Sequence, residues 1–209
     1  MSAPVNGISA AGRRLYWTLQ GPLPLASSVV SVMPENLNPD APHEPYYRGQ
    51  TPADAGTAAA WHPISQEPIT ERPVASLSVV EVNLDYWRDG WYDTNIEPND
   101  DLYPSDQEEF EGMPPKFDPV VVTASNGQFV TIHDYLSTVH PWLVERRLLI
   151  LQSRYELLDD NKVVTGDERI LIFADPPDGV NADLEDEWLR GLRWNFERER
   201  QRQQEQQQQ

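Results

Sequence analysis

The chain contains no cysteine. That absence excludes a disulfide framework, a thiolate zinc site and a cysteine nucleophile. Long apolar runs are missing too, since no window approaches the roughly 18 apolar residues that a membrane-crossing helix needs. Near the start, Gly21, Pro22 and Pro24 break the only apolar stretch and no basic start precedes it, so no secretory leader is read there. An intracellular chain is the expectation. The 11 glycines are scattered, so there is no phosphate-cradling loop, and no serine sits in a Gly-x-Ser-x-Gly elbow. Positive charge is scarce: 16 lysines and arginines face 34 acidic residues, a net charge of −18. Such a field repels phosphate backbones and anionic lipid, which argues against direct nucleic-acid or membrane binding.

The negative charge is concentrated. Residues 73–118 carry 12 acidic and 2 basic side chains, a net of −10, while residues 1–72 net only −2. Within that stretch, residues 93–112 hold eight acidic residues and two prolines and read as a long exposed insertion. A solvated acidic loop is the plain reading of such a run. A docking surface for a basic partner is the sharper one, and mimicry of a nucleic-acid backbone is a third.

The 19 prolines crowd toward the first third of the chain, and residues 1–73 read as a mostly irregular segment. The Arg14–Leu19 cluster is the exception, with Tyr16 and Trp17 expected to pack on the folded domain. Seven tryptophans and eight tyrosines indicate that such a core exists. From Ala75 to Tyr86, Val80, Val82, Leu84 and Tyr86 alternate with polar residues, the period of a half-wet strand. Asp89-Gly90 then suggests a turn. Val120–Thr123, the Asn126-Gly127 pair and Phe129–Ile132 read as a β-hairpin. Thr131 and Asp134 have the spacing of a capping box. Pro141 suits a first turn, which places a helix break near His140. Beyond it, Val144, Leu148, Leu151, Tyr155 and Leu158 form one apolar stripe, expected to be core. Ile170–Phe173 reads as a strand and Asp183–Phe196 as the last helix. The Gln-rich tail, 197–209, is expected to fray after a turn or two.

The fold expected from this pattern is α+β: one domain at 74–196, with three or four mainly antiparallel strands and two or three helices on one face. The run Pro119–His140 resembles a family of uncharacterised fungal domains, with Val130, Thr131, Asp134 and Leu136 at the shared positions. The likeness extends loosely over residues 75–195, including Leu189-Arg190-Gly191-Leu192. It implies a small α+β domain, no known activity and no site residues.

Chemistry-bearing motifs are sparse. His133 and His140 are seven apart with no third ligand at helical spacing, too few for a metal site. Asp178 to Glu187 lacks calcium-loop spacing and reads as a turn with a helix N-cap. No catalytic residue, cofactor or metal is nominated. Two function classes stay open. One is a non-catalytic interaction module in which Trp87, Trp91, Tyr92, Asp100, Asp101, Glu108 and Glu109 contact a basic protein partner. The other is a hydrolase-like enzyme with a carboxylate pair in a cleft, marked by carboxyls of separated pKa.

Overall fold

The computed structural model describes residues 7–23, 29–49, 60–95, 110–158 and 163–207. Among the described residues there are nine strands and four α-helices, six of the strands preceding the first α-helix. The strands are β1 (Leu15–Thr18), β2 (Val30–Val32), β3 (Glu44–Pro45), β4 (Tyr47–Arg48), β5 (Ala60–Trp61), β6 (Ser76–Glu81), β7 (Val120–Thr123), β8 (Ile170–Phe173) and β9 (Gly179–Leu184). The helices are α1 (Val82–Asn95), α2 (Ile132–Glu145), α3 (Arg147–Leu157) and α4 (Glu185–Gln207).

One sheet dominates. Its seven strands run in the order β3-β2-β1-β8-β9-β6-β7, while β4 and β5 form a separate ribbon. Every neighbouring pair in the large sheet is antiparallel except β6 and β9, which run parallel. The α+β class stands, but a sheet of three or four strands does not. The difference comes from the proline-rich segment: β1, β2 and β3 all lie within residues 15–45 and join the sheet where β1 pairs with β8. Pro45 is tolerated because β3 is the edge, where a missing amide costs no ladder bond. Helices also cover both faces, contrary to the one-face arrangement. Adjacent strand residues point to opposite faces. Trp17 meets Tyr135 and His140 of α2, whereas its neighbour Tyr16 meets Trp188 of α4.

Three local readings change, each for a physical reason. The strand from Ala75 stops at Glu81, and α1 begins at Val82. Leu84 and Trp87, three residues apart, are the buried positions of α1, so helical periodicity overrides the alternation. Gly90 lies inside that helix and not in a turn; a Cβ there would sit 2.5 Å from Leu157 Cδ2, so its lack of a side chain lets α1 approach α3. The Asn126-Gly127 turn exists, with Gly127 at φ +70°, but Asn126 does not take a positive φ, so it is not the type I′ turn in which an Asn-Gly pair closes a hairpin. Instead of returning along β7, the chain after it bonds to Val74 and Ile69. β7 pairs with β6.

The helix break falls at Arg146, not His140, and Pro141 sits within α2. The ring removes the amide that would bond to Ser137, but Ser137 and Pro141 are both exposed, so water can satisfy the freed carbonyl. The start of α2 is as expected: Thr131 Oγ1 accepts from the Asp134 amide and Asp134 Oδ2 accepts from the Thr131 amide, both at 3.0 Å. Because α3 starts afresh after the break, the apolar stripe is re-phased. Leu151 and Tyr155 are buried together with Ile150, whereas Leu148 and Leu158 are each 60% exposed. The last helix begins at Glu185, Asp183 and Leu184 belonging to β9, and it continues to Gln207.

The two halves of the chain meet at Trp17, which is 1% exposed. Its indole N–H donates to His140 Nδ1 at 2.9 Å, and His140 Nε2 lies 2.7 Å from the Gly21 carbonyl oxygen. One nitrogen must accept and the other donate, which sets the imidazole as neutral with its proton on Nε2. Burial lowers the His140 pKa, in keeping with that form. Trp17→Phe would leave Nδ1 buried without a donor, so we expect a loss of about 1–3 kcal/mol in urea unfolding. In the same assay Leu151→Ala should cost about 2–5 kcal/mol, and Leu148→Ala under about 0.5 kcal/mol. A Leu148→Ala cost equal to that of Leu151→Ala would contradict the re-phased stripe.

Candidate functional site

Three surfaces bring polar and aromatic chemistry together. The first is the end of α1, where three aromatic candidates lie. Trp87 is 4% exposed and its indole N–H donates to Glu156 Oε2 at 2.6 Å, so it belongs to the packing of α1 on α3. Trp91 and Tyr92 are half-buried one turn further on. The Tyr92 ring lies 6.2 Å from that of Phe110, so the two described ends of the acidic insertion meet at this patch. Asp100, Asp101, Glu108 and Glu109 lie outside the described residues.

The second surface is a cleft at the junction of β6 and α1, lined by Glu81, Leu84, Asp85, Phe117, Asp118 and Trp142. Glu81 is 1% exposed and acts as the N-terminal cap of α1. Its Oε2 accepts from the Leu84 amide and its Oε1 from Asn83 Nδ2, both at 2.8 Å. Burial pushes its carboxyl up to about 7, against the opposing pull of those hydrogen bonds. A buried, protonatable carboxyl beside two more acids has the composition of a carboxylate-pair site. The size decides against substrate binding there: at about 10 Å³ the cleft holds one water. Sequence reading passed over Glu81 because it falls on a polar position of the 80–86 alternation; the polar-to-helix junction was the signal available.

The third surface is a groove of about 690 Å³ beside α4, within the usual range of ligand pockets. Leu15, Leu37 and Ile172 line it opposite Trp188, Leu192 and Phe196 of α4. Leu184, Trp188, Leu192 and Phe196 recur at i, i+4 steps, yet no residue of α4 with a described side chain is fully buried. Polar struts hold the helix instead. The Tyr16 hydroxyl donates to Glu185 at 2.6 Å, and Arg169 pairs with the same carboxylate. Arg193 grips Asp40 through Nε and Nη2 at 3.0 and 2.7 Å. Arg154, 7% exposed, bonds both Asp183 and Glu187. Burial alone would make its guanidinium less basic, and the two carboxylates more than offset that.

The two central histidines do not converge. The His133 ring packs at a tilt against Trp61, centroids 4.4 Å apart, while His140 is turned to Trp17. Among the described residues no group of three or more potential ligands could hold a metal ion, and no helix is long and apolar enough to cross a membrane.

The raised carboxyl of Glu81 has a definite sign. Between its ordinary value of 4.5 and about 7, the folded state binds the extra proton, so stability falls as pH rises through that window. The loss amounts to about 3 kcal/mol. His140, with its lowered pKa, acts in the opposite direction, losing stability on acidification. Comparing wild type with Glu81→Gln isolates the carboxyl: the difference in unfolding free energy should shift by about 3 kcal/mol across the window. Parallel pH profiles for the two proteins would show that Glu81 titrates normally. No protein-family model, no curated protein and no solved structure matches the chain.

Proposed function

We propose that the protein is a non-catalytic interaction module whose acidic surface docks a basic protein partner, in an intracellular setting. The contact between Tyr92 and Phe110 carries this reading, because it sets half-buried Trp91 and Tyr92 beside both described ends of the 93–112 insertion, which holds eight acidic residues and no basic one. Aromatic anchors surrounded by charge of one sign combine the two usual ingredients of a binding surface. The rings supply affinity on desolvation, and the field speeds encounter and selects partners of opposite charge.

The raised carboxyl of Glu81 favours the competing hydrolase reading, with Asp85 or Asp118 as its pair. The single-water volume of that cleft and the spent oxygens of Glu81 oppose it.

Affinity capture from a lysate at low and high salt tests the module. The expected outcome is a bound set enriched in basic polypeptides, released by salt. Trp91→Ala combined with Tyr92→Ala should reduce capture by about tenfold or more, as loss of aromatic anchors does. A bound set with no basic bias, or one indifferent to salt and to both substitutions, would overturn the proposal.

A further inference from the structure

The groove beside α4 is a second surface, distinct from the Trp91–Tyr92 patch. We propose that it docks a basic amphipathic helix from a partner protein, an inference that rests on reading the chain as an interaction module. Four observations lead there.

The first is the state of α4. Trp188, Leu192 and Phe196 recur at helical spacing on the side that lines the groove, yet each is only partly buried. A stripe of this kind normally faces a core. Here the helix is held by Glu185, Glu187 and Arg193, and apart from the edge contact of Trp188 with Tyr16 its apolar side is displayed. The second is strain at the opposite wall. Leu37, at φ +53°, is the one non-glycine residue with a positive φ among the described residues, and it contributes to the groove lining. Bulky residues avoid that region, and such outliers collect at binding sites.

Charge supplies the third observation and selects the occupant. Asp175 and Glu199 line the groove and take no ion-pair partner among the described residues. Asp183 and Glu187 share Arg154, and Arg13 is paired with Glu71. The unmatched charge is therefore negative, and the complementary ligand is positive. The fourth observation removes two other occupants. A second copy of this chain brings its own charge of −18, and an anionic membrane is repelled by the same field. What fits apolar walls with acidic rims is a helix with one apolar and one basic face.

The test uses the full chain and a synthetic labelled helix of leucine and lysine, with leucines at i, i+3, i+4 and i+7. A leucine–glutamate helix of the same pattern is the control. Fluorescence anisotropy should show saturable binding of the lysine helix and none of the glutamate helix. Leu192→Asp should weaken binding by about tenfold or more. That substitution adds a negative charge, so mere surface attraction would be strengthened by it. Asp175→Asn with Glu199→Gln, both surface changes, should weaken binding severalfold and flatten its salt dependence. Trp91→Ala with Tyr92→Ala should leave peptide affinity unchanged. The groove proposal fails if Leu192→Asp binds as tightly as wild type, if the glutamate helix binds equally well, or if the lysine helix does not bind. If binding is lost only in the Trp91/Tyr92 variant, docking belongs to the α1 patch: the groove proposal falls and the module reading stands.

Discussion

The structure depends on β1 being held between β2 and β8, with Trp17 locked beneath it. Three adjacent strands near the N-terminus join the rest of the large sheet through the two-residue register of Trp17 with Ile172 and Thr18 with Leu171, extended by the Leu19 amide donating to the Ile170 carbonyl. Two paired residues are a short ladder. Its security comes from the indole that passes into the core and bonds to α2 across 123 residues of sequence. A tryptophan buries a large apolar surface and also carries one donor that needs a partner. His140 provides that partner, and the Gly21 carbonyl fixes which of its nitrogens accepts. The same arrangement fastens β1, α2 and the turn after β1. Desolvation helps: an imidazole kept neutral by burial is the form that can accept from the indole.

Opposite logic governs the two ends of the sheet-covering helices. α2 is attached by apolar packing, with Tyr135, Leu136, Val139 and Leu143 all at 0% exposure. α4 is attached by ion pairs and a phenol, and the Tyr16 phenol stays protonated because burial and the Glu185 carboxylate both oppose its ionisation. Exposed ion pairs contribute little each, and the Arg193–Asp40 pair is of that kind. The Arg154 pairing differs because its cation is buried, and removing either carboxylate would leave an under-compensated charge. The position of α4 thus relies on a few directional contacts near its start, while its apolar side remains available.

Much of the local structure was legible and much of the assembly was not. The capping box at Thr131 and Asp134 was readable because its residues are three apart and act within one turn. The strand at Ile170–Phe173 was readable from its uninterrupted apolar run. Leu84 and Trp87 misled because positions 80–86 satisfy a period of two and a period near 3.6 together, and the buried cap at Glu81 decides between them. Leu148 misled because a stripe is counted along one helix, whereas the break at Arg146 resets the phase. The sheet's true width was hidden for another reason. β1 to β3 are two to four residues long and lie among prolines, and pairing with β8 is a non-local event that local propensity does not encode. Of the surfaces described, the aromatic cluster at Trp91 and Tyr92 is visible in the sequence, while the groove is not, since a stripe on paper does not reveal whether it is covered.

The placement of β1 beside β8 also fixes an order of events during synthesis. Tyr16 waits 169 residues for Glu185, and Trp17 waits for Ile172 on the neighbouring strand. Until the ribosome has released that late segment, β1 can pair only with β2, its other side carries unpaired amides and carbonyls, and Trp17 has no core to enter. Closing so long a loop is slow compared with forming local helices. The nascent chain therefore carries an aromatic, unpaired strand edge through most of its translation, the kind of surface that chaperones hold and that aggregates when they do not. The net negative charge of the intervening stretch keeps such chains apart in the interval.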